Sequence, residues 1–338
     1  MNKPRLIRSS DLALVGGDPR SLAKLSNSGR LTRIRQGIYV DSSEWVSLSR
    51  PTQYGLRAEA FRCLTSVEPI FCYATAALVW GLWIVGIPTA LHVRTLATAG
   101  GRNRNGVVRH IGSGSDGAVR CGQLLISDKL TTTMQLINKL PFPYAVAVCD
   151  SSLRPMDSRR QVNHFVPPGC ESFGEAVWVT DCPQGPPLHL DDLRAAAMAL
   201  PSQAARTRTL AVINFASALS GSAGESISRA KMYQMRFPAP VLQKEFTLRD
   251  GCAAFVDFWF KEQKLAGEFD GKAKYMRSDW SGGSMEDRLW NEKRREDDIR
   301  AQGVRFVRWT WQDINDSNRF ERLLRQAGLP QINSRQQK

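Results

Sequence analysis

The stretch from Ala253 to Lys274, AAFVDFWFKEQKLAGEFDGKAK, constrains this chain more than any other. AFVDFWF is dense in aromatic and β-branched residues, as strands are, and KEQK is a polar turn. LAGEFDGK alternates, and side chains two apart on a strand share a face. Glu268, Asp270 and Lys272 therefore point one way, and Leu265, Gly267 and Phe269 the other. Asp257 lies on the face of Phe255 and Trp259, and a hairpin brings it beside the acidic pair. Three carboxylates so close repel one another unless a cation neutralises them. Hard oxygen ligands suit Mg2+ or Mn2+ rather than zinc. Lys272 adds a positive charge that can meet a developing phosphoryl charge or position a water, which completes the set for phosphodiester hydrolysis. The competing reading is a polar face on an exposed sheet, which has to explain why three acids converge from apolar strands.

Net charge of +14 and a pI near 9.8 call for a polyanionic partner, nucleic acid or an acidic membrane surface. Residues 1–150 carry 18 Lys+Arg against 9 Asp+Glu, and the remainder carries 28 against 23, so the front half is the more one-sidedly cationic. Membrane insertion is not expected: the most apolar stretch, Ala74 to Val85, is too short to span a bilayer, and MNKPRLIRSS leads into no apolar run. Seven Cys form no CxxC pair, and with four scattered His a zinc site is not expected. A reduced, cytoplasmic protein follows as the expectation.

At 338 residues the chain has room for two or three domains. In the first, SSDLALVG reads as a short helix ending at Gly16-Gly17, and Asp18-Pro19 opens a second helix, RSLAKLSNSG, with Leu22 and Leu25 inward. LTRIRQGIYV then reads as a β-hairpin with Leu31, Ile34 and Ile38 opposed to Arg33 and Arg35. Helix, turn, helix and basic hairpin is the outline of a winged helix-turn-helix. Arg20 and Lys24 would approach the major groove, and Arg33 or Arg35 would meet phosphate. A small helical cap with a solvated basic face is the alternative. The middle segment offers a helix from Tyr54 to Leu64, an apolar helix YATAALVWGLW, a strand ALHVRTL, an exposed AGGRNRNG tip, and a helix TTTMQLINKL capped by its threonines. His92 and His110 lack a carboxylate or Cys at useful spacing and read as ordinary residues. Residues 151–190 are rich in Pro, Gly and Ser and mark loops or a hinge.

The pattern Asp257–x10–Glu268–x–Asp270–Gly–Lys272 resembles the PD-(D/E)XK, restriction-endonuclease-like superfamily. GEFDGKAKY is similar to its branch related to very-short-patch-repair endonucleases. GESISR resembles a helix of that branch, which implies that Glu225 is a helical acid reaching the metal site. RREDDIRAQGVRFVRWTWQDI is similar to its charged helix and following buried strand, with Arg295 and Glu296 at the polar positions. Two departures stand: Val256 precedes Asp257 where Pro is the motif residue, and Lys272, Lys274 and Tyr275 stand where many relatives carry a His. Whether Asp270-Gly-Lys272 or Glu268-x-Asp270 is the functional half is open. Ser222-x-x-Glu225 is also a capping box, and Arg295 could equally sit on a solvated helix face. At the front, DPRSLAKLSNSGRLTRIRQGIYV resembles the winged-helix N-terminus of AbiEi-type antitoxins. CYATAALVWGLWIVGIPTALHVRT and LTTTMQLINKLPFPYAVAVCDSSLR are similar to the domain that follows it in relatives.

The expectation is a multidomain α+β and α/β protein. Residues 1–48 would form a winged helix-turn-helix, 49–188 an AbiEi-like α/β middle domain, and 189–338 a restriction-endonuclease-like α/β core. Its implied activity is Mg2+- or Mn2+-dependent endonucleolytic cleavage of DNA, with RNA also open, in defence against foreign DNA or in repair. Asp257, Glu268 and Asp270 would hold metal, Lys272 and Glu225 would complete the catalytic set, and Arg295 would support it. The resemblances also imply a homodimer and a cognate toxin as partners. The alternative is an AbiEi-type antitoxin or transcriptional regulator whose nuclease fold is a scaffold.

Overall fold

The computed structural model describes residues 4–95, 103–112, 117–155, 172–173, 176, 178, 183–271 and 285–332. It divides into two compact units, residues 1–136 with 155–193, and residues 137–154 with 194–338. No described helix is long and apolar enough to cross a membrane.

The first unit opens with β1 (Ile7–Arg8), α1 (Ser9–Leu14) and α2 (Arg20–Asn27), then β2 (Leu31–Arg35) and β3 (Ile38–Asp41). The three strands form an antiparallel sheet in the order β1-β3-β2. Asp18 accepts a hydrogen bond from the Arg20 N–H at 2.9 Å and so caps α2, while Gly29, at φ +78°, ends it. Leu22, Leu31 and Tyr39 form a small core that Leu25 and Ile7 flank. Next come α3 (Ser42–Ser47), α4 (Arg50–Arg62), β4 (Ile70–Phe71) and α5 (Tyr73–Trp80). They are followed by β5 (Leu91–Thr95), β6 (Val107–Ile111), β7 (Ala118–Cys121), β8 (Leu124–Ser127), α6 (Lys129–Ile137) and, from residues 155–193, β9 (Ser172–Phe173). A mixed six-stranded sheet runs β6-β5-β4-β8-β7-β9. α5 is buried from Thr75 to Trp80, and Gly81 at φ +66° terminates it. The threonine run does not cap α6 as expected. Asp128 does, accepting from the Thr131 N–H and hydroxyl.

The second unit begins with α7 (Phe142–Leu153), continues from the end of α8 (Leu190–Met198) through α9 (Gln203–Phe215) and α10 (Ala223–Gln234), and reaches a four-stranded sheet. β10 (Val241–Thr247), β11 (Ala253–Phe260) and β12 (Leu265–Phe269) form an antiparallel meander. α11 (Met285–Arg300) crosses over to β13 (Arg305–Trp309), which lies parallel to β12. A parallel neighbour needs such a crossover. α12 (Trp311–Asn315) and α13 (Ser317–Gln326) complete the unit. Along β11, Ala254, Val256, Phe258 and Phe260 are buried, so the strand alternates as the sequence requires. Two glycines set the approach of neighbouring elements. A Cβ on Gly267 would lie 2.5 Å from the Trp309 ring, and one on Gly224 would lie 2.0 Å from the Phe269 ring. The start of α10 therefore rests directly on the end of β12.

Residues 137–154 fall in the unit of the C-terminal sheet, although the sequence placed them in a middle domain. α7 packs along α10, and a buried ion pair ties the two helices. Asp150 is fully buried and meets Arg229 of α10 at 2.8 Å. It also accepts from the Ser226 and Ser220 hydroxyls and from the Ser217 N–H.

Candidate carboxylate site and basic surface

The end of β12 gathers the acids of the sequence motif in two groups. In the first, Glu225 on α10 and Asp257 on β11 share one donor: the Gln243 amide lies 3.2 Å from Glu225 Oε2 and 3.4 Å from Asp257 Oδ1. Gln243 sits on β10 at φ +48°, a conformation that disfavours an L side chain. Asp257 Oδ2 also accepts from the Phe269 N–H at 3.0 Å, just past the last β11–β12 ladder pair, Phe258 with Gly267. Glu225 is 3% exposed and accepts from the Gly221 N–H and Ser222 hydroxyl, while Ser222 accepts from the Glu225 N–H. Ser222 thus caps α10, Glu225 braces that turn, and the Glu225 carboxylate also shares the Gln243 amide with Asp257.

In the second group, Glu268 and Asp270 share Arg308. Glu268 pairs across β12–β13 with Arg308 in register, and its carboxylate lies 2.7 Å from Arg308 and 2.5 Å from Arg295 of α11. Arg308 also reaches Asp270 at 3.2 Å, Glu292 and Glu296. Arg295 extends to Glu292 and to the Phe255 carbonyl, so its place is against the sheet rather than on a solvated face. Burial pushes the Glu268 carboxyl above its ordinary pKa, and the two guanidinium groups counter that only in part. For Glu292 the balance reverses. Burial would raise it, but hydrogen bonds from Arg295 and Arg308 outweigh this and bring it to about 2.

The expected acids thus fall in two groups, Glu225 with Asp257 and Glu268 with Asp270. Among the described residues, no three His, Cys, Asp or Glu side chains converge closely enough to hold a metal. The repulsion that seemed to need a cation is relieved for Glu268 by two arginines, one of them contributed by a strand far along the sequence. Asp257 and Glu225, which lie outside that clamp, and Asp270, which meets Arg308 at 3.2 Å, suit a hard divalent cation in kind; Glu268, held by both arginines, does not. Lys272 lies outside the described residues. Gln243 and Arg308 were missed in the sequence, since neither has a motif signal and only the strand registers reveal them.

On the first unit, Arg20 and Lys24 lie one turn apart on the exposed side of α2, opposite buried Leu22, and Arg33 is exposed on β2. Arg35 departs from the expectation of a free hairpin cation. The β2–β3 register shifts between Arg33 and Arg35, and Arg35 turns in to lie 5.0 Å over the Phe61 ring of α4. His92 and His110, read from the sequence as ordinary residues, lie on neighbouring strands. Their ring nitrogens lie 2.9 Å apart, and Tyr73 stacks on His110.

A search of curated proteins finds none that matches the chain. Residues 1–40, from the N-terminus through α1, α2 and the hairpin to Val40, match the family model described as a transcriptional regulator, AbiEi antitoxin.

Proposed function

We propose that this is a DNA-binding protein whose second unit cleaves phosphodiester bonds with a divalent cation bound at the end of β12. The observation that carries the reading is the Gln243 amide, which links Glu225 and Asp257 beside the Glu268–Phe269 peptide. Asp257 and Asp270 would hold Mg2+ or Mn2+, and Glu225 would orient metal or water. When bound, the cation would polarise the phosphoryl oxygen and lower the pKa of water. Glu268 is engaged by both Arg295 and Arg308, and Asp270 by Arg308 at the longer distance of 3.2 Å, so Asp270-Gly271-Lys272 would be the functional half of the motif and Glu268 would hold the end of β12 in place. The winged helix-turn-helix outline of residues 4–41, with Arg20, Lys24 and Arg33 exposed, supplies DNA affinity. Cutting both strands would call on a second copy of the chain, and defence against foreign DNA is the role that joins the two ends.

A second reading is favoured by the match of residues 1–40 to AbiEi regulators together with the Glu268 clamp. In it the protein is an antitoxin-type transcriptional regulator, partnered with a cognate toxin, and the second unit is a scaffold. A cleavage assay on plasmid and single-stranded DNA and RNA with Mg2+, Mn2+ or EDTA, beside Asp270→Ala and Asp257→Asn, separates the two. Metal-dependent cleavage lost in both variants is the expected result. No cleavage of any substrate alongside tight binding to a promoter duplex establishes the regulator instead.

A further inference from the structure

Arg35 is the most unusual cation of the first unit. Its Nε is buried and, among the described residues, has no hydrogen-bond partner. Its Nη1 donates to the Asn105 carbonyl, a long hydrogen bond at 3.4 Å. Around it two clefts meet. The larger, about 560 Å3, is walled by Tyr54, Leu64, Leu91 and Asn105, with Arg33 and Arg57 beside Arg35. The smaller, about 240 Å3, shares Arg35 and adds Arg104 and Arg109. Five arginines thus line the two adjoining clefts, and no carboxylate among the described residues lines either. Burial first, and then the charges of Arg109 and Arg57, make protonation of Arg35 harder than usual.

Such an arrangement is costly in a ligand-free protein. Like charges repel, and a buried donor without an acceptor forfeits its hydration. The Phe61 ring lies 5.0 Å from the half-buried Arg35 guanidinium and helps to fix its orientation. Guanidinium forks fit phosphate oxygens two at a time. The larger cleft falls within the roughly 300–1,000 Å3 of small-molecule sites, with an apolar wall for a flat organic body. We propose that the two adjoining clefts bind a phosphate ester, with the phosphate at Arg35, which both share, between Arg57 of the larger and Arg109 of the smaller, and the organic part against Tyr54, Leu64 and Leu91 of the larger. The ester comes from a free nucleotide or from the backbone of bound DNA. The site lies wholly within the first unit and stands whether or not the second unit cleaves.

The test uses the full chain. Calorimetric titration with inorganic pyrophosphate and with ATP and GTP, and anisotropy with a labelled duplex, are each repeated with Arg109→Gln and with Arg57→Gln, whose side chain is exposed. Saturable binding of at least one phosphate probe, weakened tenfold or more in both variants, is expected. Arg109→Gln is also expected to raise the ligand-free melting temperature by removing repulsion, a shift that a structural role for Arg109 would reverse. Nucleotide binding that leaves the duplex bound assigns the cleft to a small effector; competition between them, or binding of the duplex alone, assigns it to the DNA backbone. No saturable binding of any probe, equal occupancy by sulfate, or unchanged affinity in the variants overturns the proposal.

Discussion

Gln243 has no catalytic chemistry, yet its amide is what the helical and strand acids have in common. In Gln243→Ala the two carboxylates lose their shared donor and keep their backbone and serine partners. Loss of a group that orients metal ligands lowers metal affinity or activity roughly 10- to 100-fold. The expected result is that drop in metal-dependent cleavage, with the apparent metal affinity falling and the melting temperature nearly kept; an unchanged metal titration would remove Gln243 from the site. Glu268 behaves in the opposite way. Glu268→Ala takes a carboxylate from two part-buried arginines that retain other acids, and about 2–3 kcal/mol of stability is expected to go. Urea denaturation measures it, and a neutral result would mean that the clamp does not hold β12 to β13. Glu292 gives the pH signature. Its folded pKa of about 2 lies below the ordinary glutamate value, so its contribution is complete above that value. It fades as pH falls from about 4.5 toward 2. Glu292→Gln should flatten the acid limb of stability over that window, followed by thermal melts across pH.

At the scale of elements, the contact of α10 with β12 leaves no room for a side chain on Gly224. Gly224→Ala gains helix propensity but drives a methyl into the buried Phe269 ring. Overpacking of this kind costs about 1–3 kcal/mol, and the displaced helix should carry Glu225 away from Asp257. Melting temperature and cleavage rate should fall together; a variant more stable than the parent would show that α10 can slide without penalty. The same elements show what a sequence exposes. The β11–β12 hairpin is legible because aromatic and β-branched residues alternate around a polar turn, and α2 because Asp18, Leu22 and Gly29 each mark a position in it. What is hidden is whatever depends on register between distant segments. Arg308 looks like any polar residue of RFVRW until β13 lies parallel to β12 and sets it beside Glu268. Arg35 alternates properly in the sequence, and a register shift in its own hairpin turns it toward Phe61. His92 and His110 meet only because β5 and β6 are parallel neighbours.

The whole chain raises the question of where the second unit begins. Composition suggests a break near residue 188, after the Pro- and Gly-rich stretch, but the buried ion pair argues otherwise. Arg229 is only 10% exposed at its side chain, and Asp150 is the one carboxylate that meets it in a salt bridge among the described residues. Its other fixed contacts are the Phe215 carbonyl and the Phe215 ring. A fragment spanning 194–338 would keep Arg229 and lose Asp150, and with it the apolar face of α7, including buried Ala145, Val146 and Cys149. Stranding one member of a buried pair costs about 3–5 kcal/mol, against a total stability of roughly 5–15 kcal/mol for a typical domain. The lost apolar burial adds to that deficit. The 194–338 fragment should therefore show no cooperative unfolding transition, whereas 137–338, which restores α7 on the chain's own connection, should unfold in one step. Urea titrations followed by tryptophan fluorescence and circular dichroism distinguish them. Matching midpoints for the two fragments would mean that α7 merely rests on α10, and that the C-terminal sheet is a self-sufficient domain after all.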